Sequence, residues 1–194
     1  RFIRHGVDTD FFKPLATVRS RPIVKRIIFA GPWLRDFKVL NEVIAALSSR
    51  RDDVEFDLVI PLSGRGSVEV YRCAANSKVR LYAGISDSEL RDLYQNASAL
   101  RLPLFDATAN NSLLEAISSG LPVVVSDIGG ARDYTEPSFA TLCRSGHSED
   151  FVEALDVILD GGADADERSQ AARNYAIANL SWNRAAVGIV QAFT

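Results

Sequence analysis

The sequence has no methionine in 194 residues, and only two cysteines, two histidines and two tryptophans. Cys73 and Cys143 each lie in or beside an apolar segment. Two free buried thiols are therefore expected rather than a disulfide, as suits a reducing, cytoplasmic setting. No apolar run approaches the ~20 residues of a membrane span, and no signal-peptide pattern is visible. A chain that opens on "RFIRHGVDTDFFKP" without Met is expected to be a piece of a longer protein. No G-x-G-x-x-G follows the first apolar strand, which argues against a dinucleotide-dependent oxidoreductase. No P-loop lysine motif and no nucleophile elbow occur. The formal net charge of -3 and pI of about 5.4 argue against a nucleic-acid partner. Basic residues gather at one end: residues 1–26 hold seven Lys or Arg against two Asp. That end could meet an anionic ligand or an acidic partner face, or simply be solvated.

The composition, 47% hydrophobic and 24% charged, is that of an ordinary globular chain, and the length suits one large domain or one domain and a tail. "IVKRIIFAG" (23–31) reads as a buried strand ending on glycine. In "RDFKVLNEVIAALSS", Phe37, Leu40, Val43, Ile44 and Leu47 recur at helical spacing, with Asp36 as a candidate N-cap. "VEFDLVIP", "KVRLYAG", "SALRLPL", "PVVVS" and "FATLC" read as further strands. Helices are expected in "RGSVEVYRCAANS", in "SDSELRDLYQNA" with a Ser86/Glu89 capping box, and at about 111–119, 148–159, 165–178 and 182–193. Strand–helix alternation, with strands apolar on both faces, predicts an α/β fold: a doubly wound, Rossmann-like parallel sheet of about six strands, followed by C-terminal helices. Its ligand edge would lie along the loops after the strands.

The stretch "DATANNSLLEAISSGLPVVVSD" (Asp106–Asp127) carries the chemistry. Gly120 is placed to take the left-handed cap of a helix, and Pro122 stops propagation. Ala109, Asn110, Asn111 and Ser112 put small side chains and unpaired N–H groups at a helix start, where an anion binds readily. Glu115, one turn inside, can accept two hydrogen bonds from a vicinal diol such as a ribose. It also stands at capping-box spacing from Ser112, in which case it would only bond back to the helix start. Leu90, Leu93 and Tyr94 form a stripe expected in the core.

The ordered set "HGVDTDFFKP", "FAGPWLRDFK", "GISDSELRDLYQNASAL", "SLLEAISSGLPVVVSDIGG" and "LSWNRAA" resembles the C-terminal, donor-binding domain of GT-B glycosyltransferases, specifically retaining family 4, over nearly the whole chain. The resemblance implies that Gly31 ends the first strand and that Arg35 and Lys38 are the nearest basic residues for a donor diphosphate, though not at the usual spacing. It implies that Gly84 and Ile85 lie where the base meets backbone, that Asn110 to Ser112 contact donor phosphate and sugar, and that Glu115 holds the ribose hydroxyls. The first of the family's paired glutamates is replaced here by Ala107, with Asp106 beside it as a possible substitute. The family's "NGVD" reads "HGVD" with His5, expected to be structural or solvated.

As one half of such an enzyme, the chain divides into an inter-domain linker (1–20), the nucleotide-sugar-binding domain (21–180) and a last helix (181–194) expected to pack on an N-terminal domain absent from this sequence. An exposed apolar patch is expected where that partner is missing. The whole enzyme would transfer a hexose from a nucleoside-diphosphate sugar to an acceptor hydroxyl with retention. It would need no cofactor and no metal, and any membrane association would come through the other half. The triplets Asp8-Thr-Asp10 and Asp164-Ala-Asp166 resemble the metal motif of the other glycosyltransferase fold, but neither follows a strand. The competing reading is a binding or assembly module whose nucleotide site has decayed, with Ala107 as its sign.

Overall fold

A computed structural model describes residues 3–15, 23–161 and 163–192. Six parallel strands form one sheet: β1 (Lys25–Ala30), β2 (Val54–Ile60), β3 (Val79–Ala83), β4 (Ala99–Leu102), β5 (Val123–Ser126) and β6 (Ala140–Cys143), in the order β3-β2-β1-β4-β5-β6. The helices α1 (Phe37–Arg50), α2 (Val68–Ala74), α3 (Asp87–Asn96), α4 (Asn111–Ser118), α5 (Ser148–Asp160), α6 (Ala163–Asn179) and α7 (Trp182–Ala192) follow the strands as the alternation predicts. α1 packs with α2 and α5, while α4 packs with α3 and α6. The doubly wound expectation is met. Two short 3-10 segments, Leu62–Gly64 and Gly129–Tyr134, were not foreseen, because their runs are too brief to show a period.

Local chemistry sets the helix boundaries. The Asp36 carboxylate accepts from Val39 N–H at 3.0 Å and starts α1. Both halves of the Ser86/Glu89 capping box are present at the start of α3. Gly120 ends α4 with φ +77°, the left-handed conformation a side chain resists. β5 is buried at every residue, as a sheet covered on both faces requires. Cys73 and Cys143 are free and buried, and burial pushes the Cys143 thiol up to about 12.

Strand order reverses between β1 and β4. The two pair only over Ile27↔Ala99 and Ile28↔Leu100. Beyond that the loops that leave them meet again: Asp36 N–H donates to Pro103 O at 3.0 Å and Phe105 N–H to Leu34 O at 2.9 Å. This is the crevice where sheets of this kind take ligands.

Of the linker expected over 1–20, residues 1–2 and 16–20 lie outside the described residues. The rest packs on the domain. Val7 and Phe12 are buried, Val7 N–H donates to Leu180 O at 2.7 Å, and Arg173 donates to Thr9 O and Phe12 O. The His5 ring meets the Trp182 ring edge-on at 4.8 Å, the structural setting expected for it. α7 lies against this segment and turns Val187, Ile189 and Val190 outward. No helix among the described residues is long and apolar enough to cross a membrane.

One core residue conflicts with its surroundings. Arg101, in β4, is fully buried, stacked over the Phe56 ring at 5.2 Å, and its Nε and Nη1 have no hydrogen-bond partner among the described residues. Burial pushes its guanidinium down to about 9, against a small opposing pull from Cys73. A cation that holds its proton less tightly folded than unfolded costs stability at neutral pH. Arg101→Met is expected to raise stability by about 1–4 kcal/mol, read as a higher urea midpoint at unchanged slope. A lower midpoint would mean that the contact with Phe56 outweighs the desolvation.

Candidate active site at the switch point

The head of α4 sits at the crevice between β1 and β4. Asn110 is its N-cap: Leu113 N–H reaches Asn110 O at 3.0 Å and Asn110 Oδ1 at 3.3 Å. Among the described residues none accepts from the N–H of Asn111 or Ser112, which lie at the positive end of the helix. Asn111 is exposed, Ser112 is buried, and Ala109 packs partly against the core.

Arg35 reaches the same place from the loop after β1. It is buried, and its guanidinium is clamped by oxygens. Nη2 and Nε donate to Ala30 O at 2.8 and 3.2 Å, and Nη1 donates to Trp33 O at 3.2 Å. Nη2 also reaches Ser112 Oγ at 3.3 Å and Asn110 Oδ1 at 3.4 Å. The Ser112 hydroxyl in turn donates to Ala30 O at 3.1 Å. No carboxylate pairs with Arg35 among the described residues, and burial pushes it down to about 10. Gly31 makes this possible. Its φ is +84°, and a Cβ there would lie 2.9 Å from Arg35 Nη2. Leu34, in the same loop, also holds a left-handed φ of +53°.

Lys38 does not join this group. Its side chain is 82% exposed on the outer face of α1 and pairs with Glu42 at 3.6 Å. Gly84 ends β3 with φ +67° beneath the Leu62 side chain, and Ile85 packs partly against the core. Ala107 is buried, and its carbonyl accepts from Gly130 N–H at 2.8 Å. Asp106 is exposed and turns back to accept from Ala107 N–H at 2.8 Å.

For Glu115, the structure removes one of the two alternatives that its spacing leaves open. It makes no capping box, since the helix is capped by Asn110. Its Oε2 accepts from the Tyr94 hydroxyl at 3.0 Å, and among the described residues no hydrogen bond reaches Oε1. Burial raises its carboxyl pKa and Asp87 adds to the rise, while the bond from Tyr94 opposes it. Tyr94 belongs to the core, as its stripe predicts, but it also touches the site, which the stripe does not reveal. The available signal is general: a tyrosine at a core position needs a partner for its hydroxyl.

The sheet order, the strand-order reversal and the position of α4 define a Rossmann-like domain of the kind found in GT-B glycosyltransferases. Residues 24–161, more than half of the chain, match the family Glycosyl transferases group 1, and the chain belongs to that family. It is similar to the MMP alpha-(1->4)-mannosyltransferase of Mycolicibacterium hassiacum, 28% identical over 193 residues, covering 97% of this chain and 46% of that protein. The chain spans about half the length of the curated relatives it matches. Among solved structures, the Anabaena protein HepE in complex with UDP superposes with a TM-score of 0.80 at 16% identity, over 98% of this chain and 56% of that one. The C-terminal domain of the glycosyl transferase group 1 protein LpcC from Francisella tularensis, solved as a separate unit, superposes with a TM-score of 0.74 at 14% identity, over 91% of this chain and 100% of that one.

Because Arg35 ties three segments together, its removal is expected to cost stability as well as charge. Arg35→Met leaves Ala30 O and Trp33 O without their charged donor and is expected to destabilise by about 2–4 kcal/mol in urea unfolding. A change within about 0.5 kcal/mol would make Arg35 a surface cation in effect.

Proposed function

We propose that this chain is the donor-binding portion of a hexosyltransferase that uses a nucleoside-diphosphate sugar and transfers the sugar with retention to an acceptor hydroxyl. Alone, it binds the donor without turnover. The observation that carries this reading is the convergence, at the head of α4, of a buried cation and of N–H groups that have, among the described residues, no carboxylate partner and no acceptor respectively, one turn before the half-buried Glu115. A diphosphate supplies the anion that Arg35 and the helix dipole favour, and these groups would stabilise the charge that grows on the leaving nucleoside diphosphate. Glu115 offers its free oxygen to a ribose diol, and the loop at Gly84 and Ile85 offers backbone to the base. The UDP bound in HepE and the mannosyl transfer named for the mycobacterial relative support the class of donor.

In this reading Lys38 reaches a phosphate only by leaving Glu42. Asp106 reaches the donor sugar only by giving up its bond to Ala107 N–H. No metal is required. The acceptor site and any membrane contact belong to a second, N-terminal half against which α7 would pack, and the reaction is assigned to the cytoplasm. Ala107 favours the alternative, a binding module whose donor site has decayed.

Calorimetric titration with UDP, GDP and ADP, with NAD as a control, separates the two. Saturable binding of one nucleoside diphosphate, weakened about tenfold or more by Glu115→Ala, is the expected result. No binding of any nucleoside diphosphate favours the decayed module. Undiminished binding by Glu115→Ala removes Glu115 from the ribose.

A further inference from the structure

We infer that Tyr94 is a positioning residue for donor recognition: its buried hydroxyl fixes the Glu115 carboxylate so that the free oxygen, Oε1, faces the ribose diol. The inference rests on the reading of Glu115 given above and extends it to a residue on a different helix. Tyr94 is fully buried, and its ring is held edge-to-face by Phe12 at 6.0 Å between centroids, so the hydroxyl is confined to the space between Glu115 and Ser112. Its bond to Oε2 at 3.0 Å takes one acceptor position of that oxygen and, among the described residues, leaves Oε1 without a hydrogen bond. Glutamate has three side-chain torsions and would sample several rotamers at the mouth of a crevice. A fixed donor on one oxygen selects the rotamer that presents the other.

The charged and titratable surroundings are few. Asp87, at the start of α3, faces the same carboxyl and disfavours its ionisation. Burial, and then Glu115, push the Tyr94 phenol well above its ordinary pKa, while a hydrogen bond with Ser112 and the charge of Arg35 act the other way. From α6, Arg173 meets α4 at its far end, at Ser118, and otherwise donates to Thr9 O and Phe12 O. The phenol therefore stays protonated and serves as a donor throughout the range in which Glu115 titrates.

The test uses Tyr94→Phe, which keeps the ring in the core, beside Glu115→Ala and the unaltered chain. The solved LpcC domain shows that a unit of this kind is obtained on its own. Affinity is measured for the nucleoside diphosphate that binds and for its 2′-deoxy form, with melting temperatures as a check on folding. The unaltered chain is expected to prefer the ribose form, and Tyr94→Phe to reduce that preference by about threefold to tenfold. In parallel, the Glu115 carboxyl carbon is titrated by NMR without ligand. Loss of the donated bond is expected to move its midpoint upward by about 0.5–1 in pH.

Equal weakening of both nucleotides by Tyr94→Phe, with preference and midpoint unchanged, would overturn the inference and leave Tyr94 a packing residue. If Glu115→Ala abolishes the preference while Tyr94→Phe keeps it, the inference alone fails. If Glu115→Ala keeps the preference, or the unaltered chain binds no nucleoside diphosphate, the ribose reading fails and takes this inference with it.

Discussion

A guanidinium held out of water is costly unless acceptors surround it, and Arg35 gathers its own from three segments: the end of β1, the loop that follows, and the head of α4. That requirement shapes the whole ligand edge. Gly31 has no side chain because one would occupy the guanidinium's place. Ser112 is buried because its hydroxyl both accepts from Arg35 and donates to Ala30 O. The next loop is tied in turn. Leu104 N–H donates to Ser126 Oγ at 2.8 Å, Phe105 N–H holds Leu34 O, and Gly130 N–H holds Ala107 O. Loops that would otherwise move independently become one rigid rim.

Arg101 shows how differently a second buried arginine fares. It lies in β4, close in sequence to that rim, yet two of its three nitrogens find no partner among the described residues. A cation lodged mid-strand can reach only side chains, since the carbonyls around it are committed to the sheet. A cation in a loop can fold the backbone around itself. The same residue type is thus an organiser at a strand end and a liability one strand away.

The fold was legible in the sequence because its signals are local and redundant. Alternating strand and helix runs, the Asp36 cap, the Ser86/Glu89 box and Gly120 each point the same way. The site was half legible. Asn110 to Ser112 could be placed at a helix head from residue types alone. Glu115 could not be resolved, because a glutamate three residues after Ser112 can either bond back to the helix start or keep its carboxylate for another partner, and the spacing alone does not distinguish them. Arg35 and Lys38 look alike in sequence, yet one is buried and the other is on the outer face of α1, because Arg35 precedes the helix while Lys38 lies within it. Tyr94 was hidden by its own periodicity, which sorts residues by apolar face and is blind to a hydroxyl at the tip.

On the proposed reading, these residues join three parts of a nucleotide site through two helices. α3 begins at the Gly84–Ile85 loop, where its capping box sets the angle of entry, and about two turns later Tyr94 bonds to Glu115. α4 carries Glu115 one turn beyond Ser112, and Ser112 is bonded to Arg35. The base loop, the ribose carboxylate and the phosphate-facing helix head therefore cannot shift separately by more than these hydrogen bonds allow. A donor that fits one part finds the others already spaced, so less of its binding energy goes into ordering the site. On the same reading, the site would tolerate Ala107. The donor-sugar position lies outside the chain of bonds from Arg35 through Ser112, and the bond from Tyr94 to Glu115. On that reading, a missing glutamate there would change what the site does to the sugar while leaving the nucleotide frame intact.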